Sequence, residues 1–261
     1  MSTVTSSVDS NGVARIVIDN PEKHNAFDDQ IIAQLSDTFG EIGENPNVRA
    51  TVLSSVGRSF SAGADLGYMK RMAEYSYEDN LKDAQGLAEM LRRLNSMPMP
   101  TIARVQGAAF GGAVGLVSCC DMAIASSRAS FCLSEVKIGL IPATISPYVI
   151  AAMGQRAARR YFTTAERFSA QTAQQLGLVS EVSDEEDLDS TITHLLDSLL
   201  ANGPQAVREA KALIQDYAGK PVTPQLIADS SERIALLRVS NEGQEGLSAF
   251  LAKRPAIWNN H

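Results

Sequence analysis

One stretch constrains this chain more than any other, the run Thr-Ile-Ala-Arg-Val-Gln-Gly-Ala-Ala-Phe-Gly-Gly-Ala-Val-Gly-Leu-Val-Ser-Cys-Cys-Asp-Met-Ala-Ile-Ala-Ser-Ser from Thr101 to Ser127. Thr101 to Gln106 alternates β-branched and small residues, which predicts a strand. Gly107, Gly111 and Gly112 follow, where the chain can turn sharply and a ligand can approach the backbone closely. Ala113 to Cys120 is small or apolar throughout and has no Pro, which suits a short helix buried on most of its surface. Met122 to Ala125 predicts the next strand. A strand that runs through glycines into a helix leaves the first helical N–H groups without partners, and the helix dipole adds partial positive charge there. Such a turn favours an anion or a developing oxyanion. Close packing of helix on strand through glycine explains the same residues equally well.

What the stretch lacks narrows its chemistry. No Lys-Ser/Thr pair follows the glycines, so it is not a P-loop. The spacing is not G-x-G-x-x-G, no acidic residue stands where a dinucleotide ribose needs one, and no Ser sits in a G-x-S-x-G elbow. A backbone anion site of this kind suits an enolate or a thioester oxygen. The net charge of −7 gives a whole-molecule field that repels nucleic acid and anionic membranes. Cys119 and Cys120, adjacent in the apolar helix, read with the third cysteine as reduced, buried thiols of a cytoplasmic protein. Met1 to Ser10 lacks the basic and apolar regions of a signal peptide, and no apolar run approaches the ~18 residues of a membrane span. His24, His194 and His261 are scattered and no C-x-x-C occurs, so no metal site is expected.

Taken in order, Val4 to Val8 and Val13 to Ile18 predict two strands joined by a hairpin turn at Ser10-Asn11-Gly12. Asn20 to Ala26 is a polar loop. Asp28 can cap a helix whose inner face is Ile31, Ile32, Leu35 and Phe39. Arg49 to Leu53 predicts a strand, and Ser59-Phe60-Ser61-Ala62-Gly63-Ala64-Asp65-Leu66 repeats the passage from strand through small residues to a helix start. Two such units can supply a two-donor oxyanion hole from distant parts of the chain. Glu78 to Asn95 predicts an amphipathic helix with Leu81, Ala84, Leu87, Ala88, Leu91 and Leu94 inward, ended by Met97-Pro98-Met99-Pro100. Ser130 to Leu133 is a short strand. Glu135 then stands in a loop among Val136, Ile138, Leu140 and Ile141, where desolvation would raise its pKa into the range of a general acid/base. A surface glutamate paired with Lys137 is the other reading. Tyr148 to Met153, Ala157 to Phe162 and Ser169 to Leu176 predict short helices, and Leu178 to Val182 a last strand. Asp184 to Asp187 reads as dipole partners at the start of a helix that ends near Asn202. Pro204 to Ala218, Thr223 to Val239 and Glu242 to Arg254 complete a helical final third.

Four of these segments, in this order, resemble the crotonase (enoyl-CoA hydratase/isomerase) family. They are Asn20-Pro21-Glu22-Lys23-His24-Asn25-Ala26, Phe60-Ser61-Ala62-Gly63-Ala64-Asp65-Leu66, the glycine stretch, and Gly246-Leu247-Ser248-Ala249-Phe250-Leu251-Ala252-Lys253-Arg254. The resemblance covers essentially the whole chain. It implies an α/β fold, a spiral of ββα repeats over residues 1–202 with a helical C-terminal trimerisation lobe of the same domain over residues 203–261. It also implies an acyl-CoA thioester substrate, no cofactor beyond the coenzyme A of that substrate, and a homotrimer or a hexamer built as a dimer of trimers. By position, the N–H groups of Ala64 and Gly112 correspond to the oxyanion hole. Lys23, His24 and Ala26 fall where the family contacts the CoA phosphates and adenine. Phe250 and Lys253 fall where a C-terminal helix, sometimes a neighbour's, closes over the nucleotide. Ala62, Asp65, Leu66 and Tyr68 belong to the substrate-binding turn.

Glu135 matches one of the two glutamates of the family's hydratases, whereas the other position is Gly115. The family's Pro-Gly-Ala-Gly-Gly-Thr is altered to Pro142-Ala143-Thr144-Ile145-Ser146-Pro147. Ala143 there can offer an N–H to a water if its conformation permits. Ala62 to Met72 and Val114 to Asp121 are most similar to bacterial methylglutaconyl-CoA hydratases of leucine degradation, with isohexenylglutaconyl-CoA hydratase of acyclic terpene degradation as a relative. Those relatives often carry Asn-Trp where this chain has Gly67-Tyr68. The implied reaction is syn addition of water across an α,β double bond, with Glu135 as the single carboxylate. Double-bond isomerisation and non-catalytic acyl-CoA binding are the alternatives. With glycine at position 115, open space is expected beside the alkene, room that a branched or carboxylated acyl chain would use. Lys70 or Arg71 are the nearest cations for a distal carboxylate, or else simply solvated side chains.

Overall fold

The computed structural model describes residues 3–259, so His261 lies outside the described part. Strands β1 (Thr3–Val8) and β2 (Val13–Asp19) pair antiparallel across the expected hairpin. Asp9 closes the turn by accepting hydrogen bonds from the N–H groups of Asn11 and Val13. β2 then pairs in parallel with β3 (Ala50–Ser55), and the sheet continues in parallel through β4 (Thr101–Val105), β6 (Met122–Ser126) and β9 (Glu181–Ser183). Parallel neighbours need long crossovers, and the helices lie in them. Both faces of the sheet are covered. Ala14, Ile16, Ile18, Leu53, Ala103 and Ala125 face the main core, while Val13, Ala50, Val52, Ile102 and Ile124 meet Leu188, Ile192 and Leu196 of helix α7 (Leu188–Leu200). This two-sided burial is why these strands read as almost unbroken apolar runs.

Four strands of the large sheet, β2, β3, β4 and β6, are each followed by a short extended segment in a second layer, and then by a helix. Phe27 bridges Ala64 and Ser61 bridges Ala109. β5 (Ala108–Phe110) pairs in parallel with β7 (Ser130–Cys132), which pairs antiparallel with β8 (Phe168–Ser169). The helices that follow these segments are α1 (Asp29–Glu44), α2 (Leu66–Met72), α4 (Gly112–Cys119) and α5 (Ser146–Thr164). Strand, second-layer segment and helix thus repeat as the turns of a spiral, and they stack the second-layer turns on one another. The glycine run is therefore more than a turn, because Ala108–Phe110 is a strand of the second sheet.

Other elements differ from the sequence expectation in detail. The two short helices expected between Tyr148 and Phe162 are present, and they lie end to end as the two arms of α5 on either side of a kink at Gly154 (φ 78°, ψ 156°). On α3 (Tyr77–Asn95), Met90, Leu91 and Leu94 are buried, but Leu81 is 45% exposed. The final strand is confined to Glu181–Ser183, while Leu178 and Val179 are buried ahead of it. The C-terminal helices α8 (Pro204–Tyr217), α9 (Pro224–Val239) and α10 (Asn241–Leu251) are tied to the core by buried Lys211, which donates to Met99 O and pairs with Asp121 at 2.7 Å. All three cysteines are buried and unpaired, and burial pushes the Cys120 thiol up to about 12. Among the described residues no helix is long and apolar enough to cross a membrane.

Candidate active site

The spiral brings two chain turns to one point. Phe27 N–H donates to Gly63 O and Asp65 N–H donates to Phe27 O, each at 2.7 Å. This parallel bridge turns the N–H of the intervening Ala64 away from Phe27, and among the described residues it meets no acceptor. One turn of the spiral later, Gly111 N–H donates to Cys132 O at 2.8 Å and Gly112 opens α4 with its N–H likewise unengaged. Gly111 has φ 55°, a left-handed value suited to glycine. A Cβ there would stand 3.3 Å from Glu135 Oε1 and 3.9 Å from Gly63 Cα. Two free main-chain donors and one carboxylate therefore converge around the glycine turn.

Glu135 opens a short 3-10 turn, Glu135–Ile138, closed by Gly139 at φ 77°. Its Oε2 is buried without a hydrogen-bond partner, and burial pushes the carboxyl above its ordinary range. No ion pair joins it to Lys137 among the described residues, which sets aside the surface-glutamate reading. The source of the desolvation differs from the sequence argument, however. Ile138, Leu140 and Ile141 are 57%, 55% and 72% exposed. The carboxylate is buried because the 3-10 turn points it inward against Gly111, away from its own apolar neighbours.

The loop ahead of α1 braces the turn that carries Ala64. Asn25, fully buried, donates from Nδ2 to Val56 O and Ser59 O, and its Oδ1 accepts from Asn20 N–H. Ala62 N–H donates to His24 O at 3.0 Å. Ala26 is buried, whereas Ala62, His24 and Lys23 are exposed. Asp65 caps α2 through Gly67 N–H and Tyr68 N–H, and pairs with Lys23 at 3.0 Å. The Lys23 ammonium holds the Asp65 carboxyl below its usual range against the opposing effect of desolvation. Leu66 is 76% exposed beside the turn, but Tyr68 is buried with its hydroxyl on Asp83 of α3. Burial, and then Asp83, raise the Tyr68 hydroxyl. Arg71 pairs with Asp29 and lies over the Tyr68 ring, leaving Lys70 exposed.

Two expectations need correction. The space expected beside Gly115 is filled: a Cβ there would stand 2.8 Å from Ile145 Cβ, closer still to Ile145 Cγ2, and 3.4 Å from Leu91 Cδ2. Ile145 is 2% exposed and part of the main core. Ala143 offers no free N–H either, because it donates to Ile141 O at 2.8 Å. Phe250 and Lys253 are carried by α10 and the turn after it, which pack on α8 and α9. Among the described residues no hydrogen bond or ion pair joins them to the site. Sequence reasoning passed over Asn25, Phe27 and Ile145. Asn25 carried one usable signal, since Asn tolerates the left-handed backbone (φ 55°) that it adopts.

The family model described as enoyl-CoA hydratase/isomerase matches residues 9–261. A crystal structure of an enoyl-CoA hydratase from Shewanella pealeana is 48% identical with a TM-score of 0.94, covering 98% of this chain and 95% of that one. The structure of Pseudomonas aeruginosa AtuE is 30% identical with a TM-score of 0.93, covering 98% of this chain and 99% of its own. Enoyl-CoA hydratase AKT6-1 of Alternaria alternata is 34% identical over 231 residues, 85% of this chain and 76% of the relative. With the spiral, the paired backbone donors and the match along nearly its whole length, the chain belongs to the enoyl-CoA hydratase/isomerase family and has the crotonase fold.

Proposed function

We propose that the chain hydrates the α,β double bond of an enoyl-CoA thioester, with Glu135 as its only catalytic carboxylate. The observation that carries this reading is the buried, unpartnered Oε2 of Glu135 beside the glycine turn that presents the free N–H groups of Ala64 and Gly112. In this mechanism the thioester oxygen lies between the two N–H donors. Charge arriving on it is stabilised by about 3–4 kcal/mol per donor. Glu135 takes a proton from water as the water oxygen bonds to C3, and returns a proton to C2 on the same face. The net change is addition of one water, and the carboxylate is regenerated. No cofactor beyond the coenzyme A of the substrate is needed.

For the acyl group, the motif resemblance supports a branched glutaconyl-CoA, such as 3-methylglutaconyl-CoA or isohexenylglutaconyl-CoA. The room beside Gly115 no longer contributes to that choice, since Ile145 occupies it. With Arg71 engaged by Asp29, Lys70 is the better of the two cations for a distal carboxylate. We place the enzyme in the cytoplasm, in keeping with its three unpaired thiols, and assemble it as a homotrimer or a dimer of trimers. A panel of enoyl-CoA and glutaconyl-CoA substrates in isotopically labelled water tests the proposal. Label in the product supports hydration, and a shifted double bond without label means isomerisation, which a single carboxylate also permits. A kcat/KM for methylglutaconyl-CoA no higher than for crotonyl-CoA overturns the glutaconyl choice and leaves hydration standing.

A further inference from the structure

We propose that Lys23 is a positioning residue for the Ala64 oxyanion donor, acting through Asp65 rather than through the nucleotide. The inference rests on the hydratase reading above, in which the Ala64 N–H receives the thioester oxygen. Both Asp65 carboxylate oxygens are engaged. Oδ1 accepts from Gly67 N–H at 2.9 Å and Tyr68 N–H at 3.0 Å, which fixes the first turn of α2. Oδ2 lies 3.0 Å from Lys23 Nζ, and the Asp65 side chain is only 12% exposed. The main chain of Asp65 is bonded to Phe27. Ala64 is therefore held between Gly63 and an Asp65 fixed by its N–H and by both oxygens.

The backbone around Lys23 points the same way. His24 and Asn25 are left-handed in succession, at φ 53° and 55°. Residues with side chains rarely adopt this conformation, and it persists where surrounding contacts over-determine it. The braces on this loop run to the segment that ends at Ala64. Asn25 reaches Val56 and Ser59, His24 accepts from Ala62, Phe27 pairs with Gly63 and Asp65, and Lys23 ends on Asp65. Among these ties the Lys23–Asp65 pair alone is ionic, and it closes the clamp immediately after the donor. An oxyanion donor acts through placement to within about half an ångström. Losing the tie should therefore weaken transition-state stabilisation more than ground-state binding.

Lys23→Met, Lys23→Arg, Asp65→Asn and the Lys23→Met/Asp65→Asn pair test this, using the best enoyl-CoA substrate of the panel. Lys23→Met is expected to lower kcat by roughly tenfold or more with KM within about twofold of wild type. Lys23→Arg, which keeps the cation, should recover most of that loss. The double variant should be no worse than the poorer single variant, since both remove the same tie. A tenfold rise in KM with kcat unchanged makes Lys23 a nucleotide contact and overturns the proposal. Unchanged kinetics or multiplicative losses overturn it too. A wild type that turns over no enoyl-CoA is instead a failure of the hydratase reading. Amide exchange at Gly67 and Tyr68 then decides without turnover. Exchange at least roughly tenfold faster in Lys23→Met supports the clamp, and unchanged protection overturns it.

Discussion

Glu135 carries a carboxyl whose charge the fold disfavours and the proposed chemistry requires. Burial raises its pKa in the folded chain, so the folded state holds the proton more tightly than the unfolded one. Its contribution to folding is greatest below the unfolded pKa and is lost as pH rises through the raised folded value. Turnover should climb over the same interval, because the base must be ionised. Glu135→Gln is therefore expected to lose roughly a hundredfold or more in kcat while still binding acyl-CoA. Retention of half the wild-type rate would remove Glu135 from the mechanism. The same variant should melt above wild type at neutral pH, by roughly 2–4 °C per kcal/mol in a chain of this size, and lose that advantage near pH ~4. Calorimetry at two pH values checks both signs. Glu135 was legible as a candidate because a lone acidic residue stood in an apolar loop. The direction of its side chain was not legible, because it depends on the 3-10 turn and on Gly111, which precedes it by two spiral segments.

Helix α4 is the element on which the site is built, and its packing shows where local sequence stops being informative. Its burial and its free N-terminus follow from composition and glycine placement alone. The reason for glycine at position 115 does not, because the residue that demands it, Ile145, is in the segment leading into α5. Gly115→Ala is expected to destabilise by roughly 1–3 kcal/mol through overpacking. Ile145→Ala should cost roughly 2–5 kcal/mol by opening a cavity. Combined, the two should cost clearly less than their sum, since each relieves the defect of the other. Additive losses in denaturant melts would mean that the two positions are not coupled. One other feature was hidden, because Ala108–Phe110 is a strand too short to show alternation.

At the scale of the molecule, the C-terminal helices display apolar surface that no other described residue covers. Leu236, Val239, Phe250 and Leu251 are 62%, 74%, 81% and 79% exposed, large apolar side chains that the proposed assembly would bury. Light scattering is expected to give three or six times the chain mass, and paired Leu236→Glu and Phe250→Glu changes should lower it. A monomeric wild type would end the trimer proposal. Lys253→Glu should raise KM with kcat nearly unchanged, less so at high salt, through contact with a CoA phosphate. A KM indifferent to this charge reversal at low salt rules that contact out. The helical lobe was legible from its periodicity and Pro204, and its attachment through Lys211 and Asp121 was not, because the two are ninety residues apart. The donors at Ala64 and Gly112 belong to the peptide chain itself, so among single substitutions at these positions only proline, which has no N–H, deletes either of them. In the proposed mechanism the carboxylate, Ile145 and the acyl pocket can therefore vary by ordinary substitution while the two donors persist. A chain built this way can change its reaction without first losing its grip on the substrate.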